Sequence, residues 1–337
     1  MRTLVSIKTI TSIEVIPNAD QIHTACVGGW KVVIRKDEGF QVGDDALFFE
    51  IDSMIPADDE RFDFLSRGQK REHHRIKTMK LRGVLSQGLL MPLSKLTNEE
   101  RMRIFDGEEA TEVLRVIKYE PVIPMGGKQK GTFPTHLVPK TDQERIQNMV
   151  SALEGRNSHE FEITEKLDGT SCTFFSRIVE GPALGSQLQT GVCSRNWEMQ
   201  ILDENIYAKQ FNKLGIHDKL RQLGGRQLAI QGEIIGPSIQ SNKYKLDEQT
   251  FFVFDIYDID AKCYLGSVDR HELAEQLGLK HVPLVRESMV FTLDTVLDAA
   301  DGRSLLYDTP REGLVFKGYD GKTNFKAISN KWLLKNE

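Results

Sequence analysis

Between Glu120 and Lys140 the chain carries four prolines and the segment GGKQKG. Proline removes a backbone donor and fixes φ, glycine loosens the chain, and neither suits the interior of a helix or strand. A stretch of this kind divides the 337 residues into two units, each of ordinary domain size. The expected division is a first domain over 1–120, a linker over 121–140 and a second domain over 141–337. With 39% hydrophobic and 28% charged residues, the chain has the material of packed globular domains.

The first unit reads as short strands. LVSIKTITSIEVI, GGWKVVIRK, DDALFFEI and QGLLMPL are rich in β-branched and aromatic residues and are bounded by turn formers. Strands at this spacing predict a small barrel or sandwich. The second unit alternates. TDQERIQNMVSALEG predicts a helix, opened by Thr141 with Glu144 three residues on and closed by Gly155. FEITEKL and TSCTFFSRI predict strands joined at Asp168-Gly169, and Trp197 to Leu214 is helical in pattern. RQLAIQGEII, TFFVFDIYD, GLVFKG and NFKAIS predict buried or half-buried strands.

Charge limits the partners. With 44 Lys plus Arg against 49 Asp plus Glu, the net charge is −5, which excludes a wholesale polycation but not a local nucleic-acid surface. From Arg67 to Arg82 the chain holds seven basic residues and one acid, Glu72. His73 and His74 within it lack metal-site companions and read as loop residues. The four cysteines, Cys26, Cys172, Cys193 and Cys263, form no C-x-x-C pair, which predicts reduced thiols, with Cys172 and Cys193 as small core residues. No run approaches 18 apolar residues and the start is too polar for a signal peptide. The expectation is a cytoplasmic, soluble protein with no membrane partner.

One lysine carries chemistry. Glu165-Lys166-Leu167-Asp168-Gly169-Thr170-Ser171 sets a lysine at a strand end beside a glycine, where backbone can approach a phosphate closely. A lysine amine is nucleophilic only when its proton is removed, so such a site needs burial or neighbouring cations. Further on come Ser194-Arg195, Gln231 to Gly236, Phe251 to Ile256, Arg311 to Lys317, and Asn324 to Ser329. Glu233 stands in an otherwise apolar strand, where a carboxylate without a partner is costly. Lys317 and Lys322 read as solvated lysines.

In this order the segments resemble the motif series of the covalent nucleotidyltransferases, the polynucleotide ligases and RNA capping enzymes. The resemblance covers the chain from Thr141 onward. It implies that Lys166 forms a lysyl–AMP with ATP and that Lys326 contacts the α-phosphate, its charge also helping to keep the Lys166 amine neutral. It implies that Glu312 binds metal-coordinated water, and that Asp168, Glu233 and Glu312 serve Mg²⁺ or Mn²⁺, through water. Glu233 would face the nucleotide sugar or a second hydrated metal. Arg195 would touch the ribose or an incoming 5′-phosphate, Phe254 would stack on adenine, and the backbone around Glu165 and Leu167 would read the adenine edge. The last motif departs from the common form, in which two lysines flank one residue: Ile328 follows Lys326 by two and the next lysine is Lys331.

Capping enzymes and most DNA ligases place an OB domain after the last motif, whereas this chain ends 11 residues after Lys326. The residues from Ile13 to Ile22, with GGWKVVIRKDEGFQVGDDALFF and KLRGVLSQGLLMPL, resemble OB-type tRNA-binding modules and the N-terminal OB module of one class of ATP-dependent RNA ligase. The implied fold is α+β: an OB-like β-barrel, then an ATP-grasp-like nucleotidyltransferase domain of antiparallel sheets flanked by helices. On that module Lys70, Arg71, Arg75, Lys77, Lys80 and Arg82 would track RNA phosphates. The implied enzyme is a monomer that joins RNA 3′-hydroxyl and 5′-phosphate ends, sealing nicks in repair. A DNA ligase with the same core, and a non-catalytic tRNA-binding protein, are the alternatives.

Overall fold

The structure is a computed structural model describing residues 3–66, 71–120, 128–181, 185–201, 205–286 and 288–336. In the N-terminal part, Asp45–Phe49 lies between Val5–Thr9 and Leu89–Pro92, and Ser12–Val15, Ile22–Val27 and Trp30–Arg35 form a meander. Trp30–Arg35 buries alternate residues, whereas Ala46, Leu47, Phe48 and Phe49 of the central strand are all buried, and together they fill one core. Ser53–Pro56 pairs with His73–Arg75, so His73 and His74 belong to a strand rather than a loop, and His74 is buried. Thr78–Leu81 and Val84–Gln87 make a hairpin whose turn has positive φ at Arg82 and Gly83, the conformation that suits right-twisted strands.

The C-terminal part holds two sheets. The larger runs Gln129–Thr132, Trp197–Met199, Gly185–Cys193, Thr170–Gly181, Leu228–Ile235, Thr250–Asp258 and Cys263–Tyr264, with Lys280–His281 parallel to Thr250–Asp258. The smaller runs Glu144–Arg145, Asn324–Ile328, Gly313–Gly318 and Phe161–Lys166. Its pair of Glu144–Arg145 with Asn324–Ile328 is parallel, so the sheets are mixed rather than purely antiparallel. Helices such as Ile206–Lys213, Ser267–Gln276 and Leu293–Ala300 cover them.

Three local expectations yield to tertiary pairing. Residues 141–155 form no α-helix but a two-residue strand followed by 3₁₀ turns, Ile146–Asn148 and Val150–Leu153. The segment is threaded between the two parts of the molecule. Gly29 N–H donates to the Gln147 carbonyl at 3.0 Å, Trp30 Nε1 to Asn148 at 2.7 Å, and Arg145 pairs with Asp52 at 3.1 Å. The Gln147 carbonyl and the strand pairing of Glu144–Arg145 with Asn324–Ile328 use backbone groups that an α-helix would bond internally. Trp197–Met199 is a strand, and the helix begins only at Ile206 after the Asn205 cap, because strands on both sides pair with Trp197–Met199. Gln129–Thr132, in the proline- and glycine-rich stretch, is an edge strand of the larger sheet.

The two strands around Asp168-Gly169 are not a hairpin. Phe161–Lys166 pairs with Gly313–Gly318, whereas Thr170–Gly181 pairs with Gly185–Cys193 and Leu228–Ile235. Residues Leu167 to Gly169 cross from one sheet to the other. At Gly169 a Cβ would overlap the Ile234 carbonyl oxygen, so only glycine permits the crossing. The end of the chain closes the assembly: Ile328 and Leu333 are buried in the same core as Trp30 and Phe48.

Candidate active site

Where the sheets meet, a cavity of about 620 Å³ opens, within the range of small-molecule sites. Lys166, at the last position of its strand, points into it and pairs with Glu312 at 2.7 Å. Glu312 immediately precedes the neighbouring strand Gly313–Gly318, so sheet register brings the two together. The second Glu312 oxygen is buried and has no hydrogen-bond partner among the described residues. Glu233 projects from the adjoining sheet into the same space, and Asp168 pairs with Lys243. The Asp168 backbone N–H donates to the Tyr244 hydroxyl at 2.7 Å.

Charge at this end is negative. Burial opposes the charge of the Lys166 ammonium, but Glu312, Glu233 and Asp168 outweigh it and hold the pKa above the ordinary lysine value. Burial, reinforced by Glu312 and Asp168, pushes Glu233 up to about 8. The neighbours that raise the Lys166 pKa are carboxylates. Lys326 lines the same cavity and pairs with Asp142 within an ion-pair cluster.

That cluster gathers around Asp142. Its carboxylate accepts Lys118 at 2.6 Å, Lys326 at 2.8 Å and Arg195 at 3.4 Å. Burial alone would raise the Asp142 pKa, yet Lys326 and Lys118 hold it far below the usual carboxylate range. Arg195 sits in a tight turn closed by Ser194 N–H to the Trp197 carbonyl at 2.9 Å, and also meets Glu120 at 3.5 Å. Three cations share one or two acids, so this end of the cavity is positive.

Phe254 forms a wall. It is the extra residue of a β-bulge, since Gln231 pairs with Asp255 and Gly232 with Val253. Bulges re-aim a side chain out of the alternation, and Phe254 is half-buried in the cavity lining whereas Phe251 and Phe252 are buried. Leu167, Tyr244 and Val282 pack beside it. The Glu165 amide is already bonded to the Pro283 carbonyl at 2.9 Å, and its carboxylate accepts Leu305 N–H at 2.8 Å. Lys317 is not a solvated lysine: it is half-buried and pairs with Asp255 at 2.7 Å, and burial lowers its pKa. Lys322 is exposed as expected. Behind this wall the buried Arg270 bonds to Glu162, which also meets His271 at 2.6 Å.

The basic run separates. Lys80 and Arg82 are exposed on the hairpin, Arg71 is exposed and Lys77 half-buried. Arg75 instead pairs with Asp52 at 2.7 Å and lies over the Tyr119 ring at 3.6 Å. Lys70 lies outside the described residues. Lys166, Asp168, Arg195, Glu233, Phe254, Glu312 and Lys326 thus line one cavity, with Glu165 and Leu167. The sequence reading missed Asp142, Lys118, Lys243 and Tyr244. Asp142 stands in the TDQER segment, whose pattern predicts a helix start, and the others carry no local signal. Cys172 and Cys193 are buried and free.

A family model described as an OB-fold domain matches residues 4–93, and one described as RNA ligase matches residues 159–333. The chain is similar along its length to solved structures of an RNA ligase from Naegleria gruberi. The structure with pyrophosphate is 40% identical, has a TM-score of 0.87, and is matched over 100% of this chain and 99% of that one. A lysine-to-alanine mutant with ATP and Mn is 39% identical with a TM-score of 0.85, and a glutamate-to-alanine mutant with AMP and Mn is 39% identical with a TM-score of 0.86. Both matches cover 99% of each chain. A comparison with curated proteins returns no match.

Proposed function

Since the chain belongs to the RNA ligase family, we propose that it seals nicks in duplex RNA with ATP as the AMP donor and Mg²⁺ or Mn²⁺ as the metal. The observation that carries this is one cavity holding a lysine ringed by carboxylates at one end and a cation cluster at the other. In the first step the Lys166 amine loses a proton and attacks the α-phosphorus; the P–N bond forms as the P–O bond to pyrophosphate breaks. In the second, an oxygen of the RNA 5′-phosphate attacks that phosphorus and Lys166 is released. In the third, the RNA 3′-hydroxyl attacks the adenylylated 5′-phosphate and AMP leaves.

Roles follow from position. Lys326 and Arg195 hold phosphate oxygens, a task suited to their surplus charge. Phe254 stacks on adenine, and with the Glu165 amide engaged, the carbonyl at Glu165 and the backbone at Leu167 are what is left to meet the base edge. Asp168, Glu233 and Glu312 supply the hard oxygen donors that Mg²⁺ or Mn²⁺ prefers, and the unpartnered buried oxygen of Glu312 fits that use. A divalent ion among these carboxylates supplies the positive charge that lowers the Lys166 pKa and offsets charge on the α-phosphate. Arg71, Lys77, Lys80 and Arg82, with Lys70, track the RNA backbone. Two buried free thiols favour a cytoplasmic setting, and no described helix is long and apolar enough to cross a membrane. One chain contributes every residue named, which favours a monomer.

The test is incubation with α-labelled ATP and a divalent metal, then denaturing electrophoresis. Wild type is expected to carry label through denaturation and Lys166→Met to carry none; a labelled Lys166→Met would remove Lys166 from the nucleophile role.

A further inference from the structure

Between the strands Leu228–Ile235 and Thr250–Asp258 lies a loop whose backbone is unusual. Five non-glycine residues, Ser238, Gln240, Ser241, Asn242 and Lys245, have φ values of 66°, 42°, 59°, 46° and 52°. Left-handed backbone is unfavourable at such residues and persists where surrounding contacts over-determine it. Here Asn242 bonds to both backbone groups of Leu246, at 2.9 Å and 3.1 Å. Gln249 holds the Pro237 carbonyl at 3.0 Å, and Tyr244 is buried. Backbone strain maintained in this way concentrates at ligand clamps.

The loop meets the catalytic turn directly, since Lys243 takes the Asp168 carboxylate and Tyr244 its amide. Next to them Gln240 and Ser241 line the same cavity, as do Trp332 and Asn336 of the C-terminal helix. Their chemistry differs from that of the Asp142 cluster. An amide and a hydroxyl are neutral and both donate and accept, which suits sugar hydroxyls, whereas three cations suit phosphate. In the last step of sealing, the 3′-hydroxyl must reach a phosphorus beside Lys166, so its ribose has to enter the cavity that this loop lines.

We propose that Gln240 and Ser241 form the subsite for the ribose of the 3′-hydroxyl strand and read its 2′-hydroxyl. The strained loop then determines the preference for ribose over deoxyribose on that side of the nick. The 2′-hydroxyl is the group by which a protein tells the two apart, and a site built to bond a hydroxyl disfavours the analogue lacking it. The inference rests on the RNA ligase reading of the cavity.

The experiment compares sealing of two nicked RNA duplexes that differ only in a ribose or a 2′-deoxyribose at the 3′-hydroxyl terminus. Wild type is expected to favour ribose by about tenfold or more. Ser241→Gly removes the hydroxyl and suits positive φ better than serine does, and Gln240→Met keeps length without the amide. Each is expected to reduce the ribose preference severalfold, and the double variant to bring it near one. A double variant that retains the wild-type ratio overturns the subsite, as does one that loses sealing of both nicks in equal proportion. A wild type that takes label from α-labelled ATP but shows no ribose preference also overturns it alone. A wild type that takes no label overturns the underlying reading with it.

Discussion

The two ends of the cavity are built from the same kind of ion pair with opposite surplus. At one end Lys166 stands among Glu312, Glu233 and Asp168, with Lys243 paired to the last and also acting on Glu312. At the other Asp142 holds Lys118, Lys326 and Arg195, the last of which also meets Glu120. An ion pair by itself says little about function, because desolvation offsets much of its attraction. The uncompensated charge says more. A carboxylate excess in a half-buried site calls for a cation, and a cation excess calls for an anion such as a polyphosphate. The difference also explains why the Lys166 amine, alone with its neighbours, stays protonated.

The contrast breaks first at Glu312. Glu312→Ala removes the nearest partner of Lys166 and one metal-facing carboxylate, and self-adenylylation in the labelled-ATP assay should fall by about 100-fold or more. A loss below about threefold would show that the acid end is not where the chemistry occurs. At the cation end, Asp142→Asn keeps the shape and removes the charge that gathers three side chains. The kcat/KM for self-adenylylation should fall about tenfold, mainly through KM for ATP. A lower KM would instead mean that Asp142 competes with phosphate rather than organising its ligands.

pH sharpens the same contrast. With the Glu233 pKa near 8, the free protein must release a proton to bind metal below that pH. Mn²⁺ affinity, measured calorimetrically, should rise between about pH 6 and pH 8 and level off above, and Glu233→Gln should abolish the rise. The stability sign agrees. A carboxyl whose pKa is raised from 4.5 to about 8 by folding contributes stability that is lost as pH climbs through this window. Without metal, the melting temperature of Glu233→Gln should therefore gain on wild type between pH 5 and pH 8.

The smallest effect lies outside the cavity. Lys80→Ala with Arg82→Ala should weaken nick sealing by a fewfold, more at low salt, and leave self-adenylylation alone. Arg75→Ala should behave differently, reducing both, because Arg75 is engaged with Asp52 and Tyr119. Equal behaviour of all three would mean that the run from Arg67 to Arg82 acts as one surface.

How much of this was legible varied with the range of the interaction. Lys166, Glu233, Glu312 and Lys326 were recognisable because each sits in a short segment with its own residue pattern, and all four line one cavity. Phe254 was named as a stacking residue, but only the bulge opposite Gln231 and Gly232 explains how it leaves the alternating core face. The predicted helix over 141–155 failed because capping and periodicity describe a segment alone, whereas this one bonds to Gly29, Trp30 and Asp52. Lys118 and Lys243 had no signal, since an exposed-looking lysine acquires meaning from a carboxylate 24 or 75 residues away.

The amino-acid sequence by itself determined the strand-rich halves, the order of the motifs and the placing of a lysine where a strand ends beside an obligatory glycine. Those properties depend on residues adjacent in the chain, through sterics, hydrogen-bonding capacity and periodic burial. Only the tertiary structure decided that Leu167 to Gly169 joins two different sheets, that Lys326 pairs with Asp142, and that a strained loop grips Asp168. Coulomb energy and steric exclusion act through distances in space, and those distances exist only once the two sheets have met.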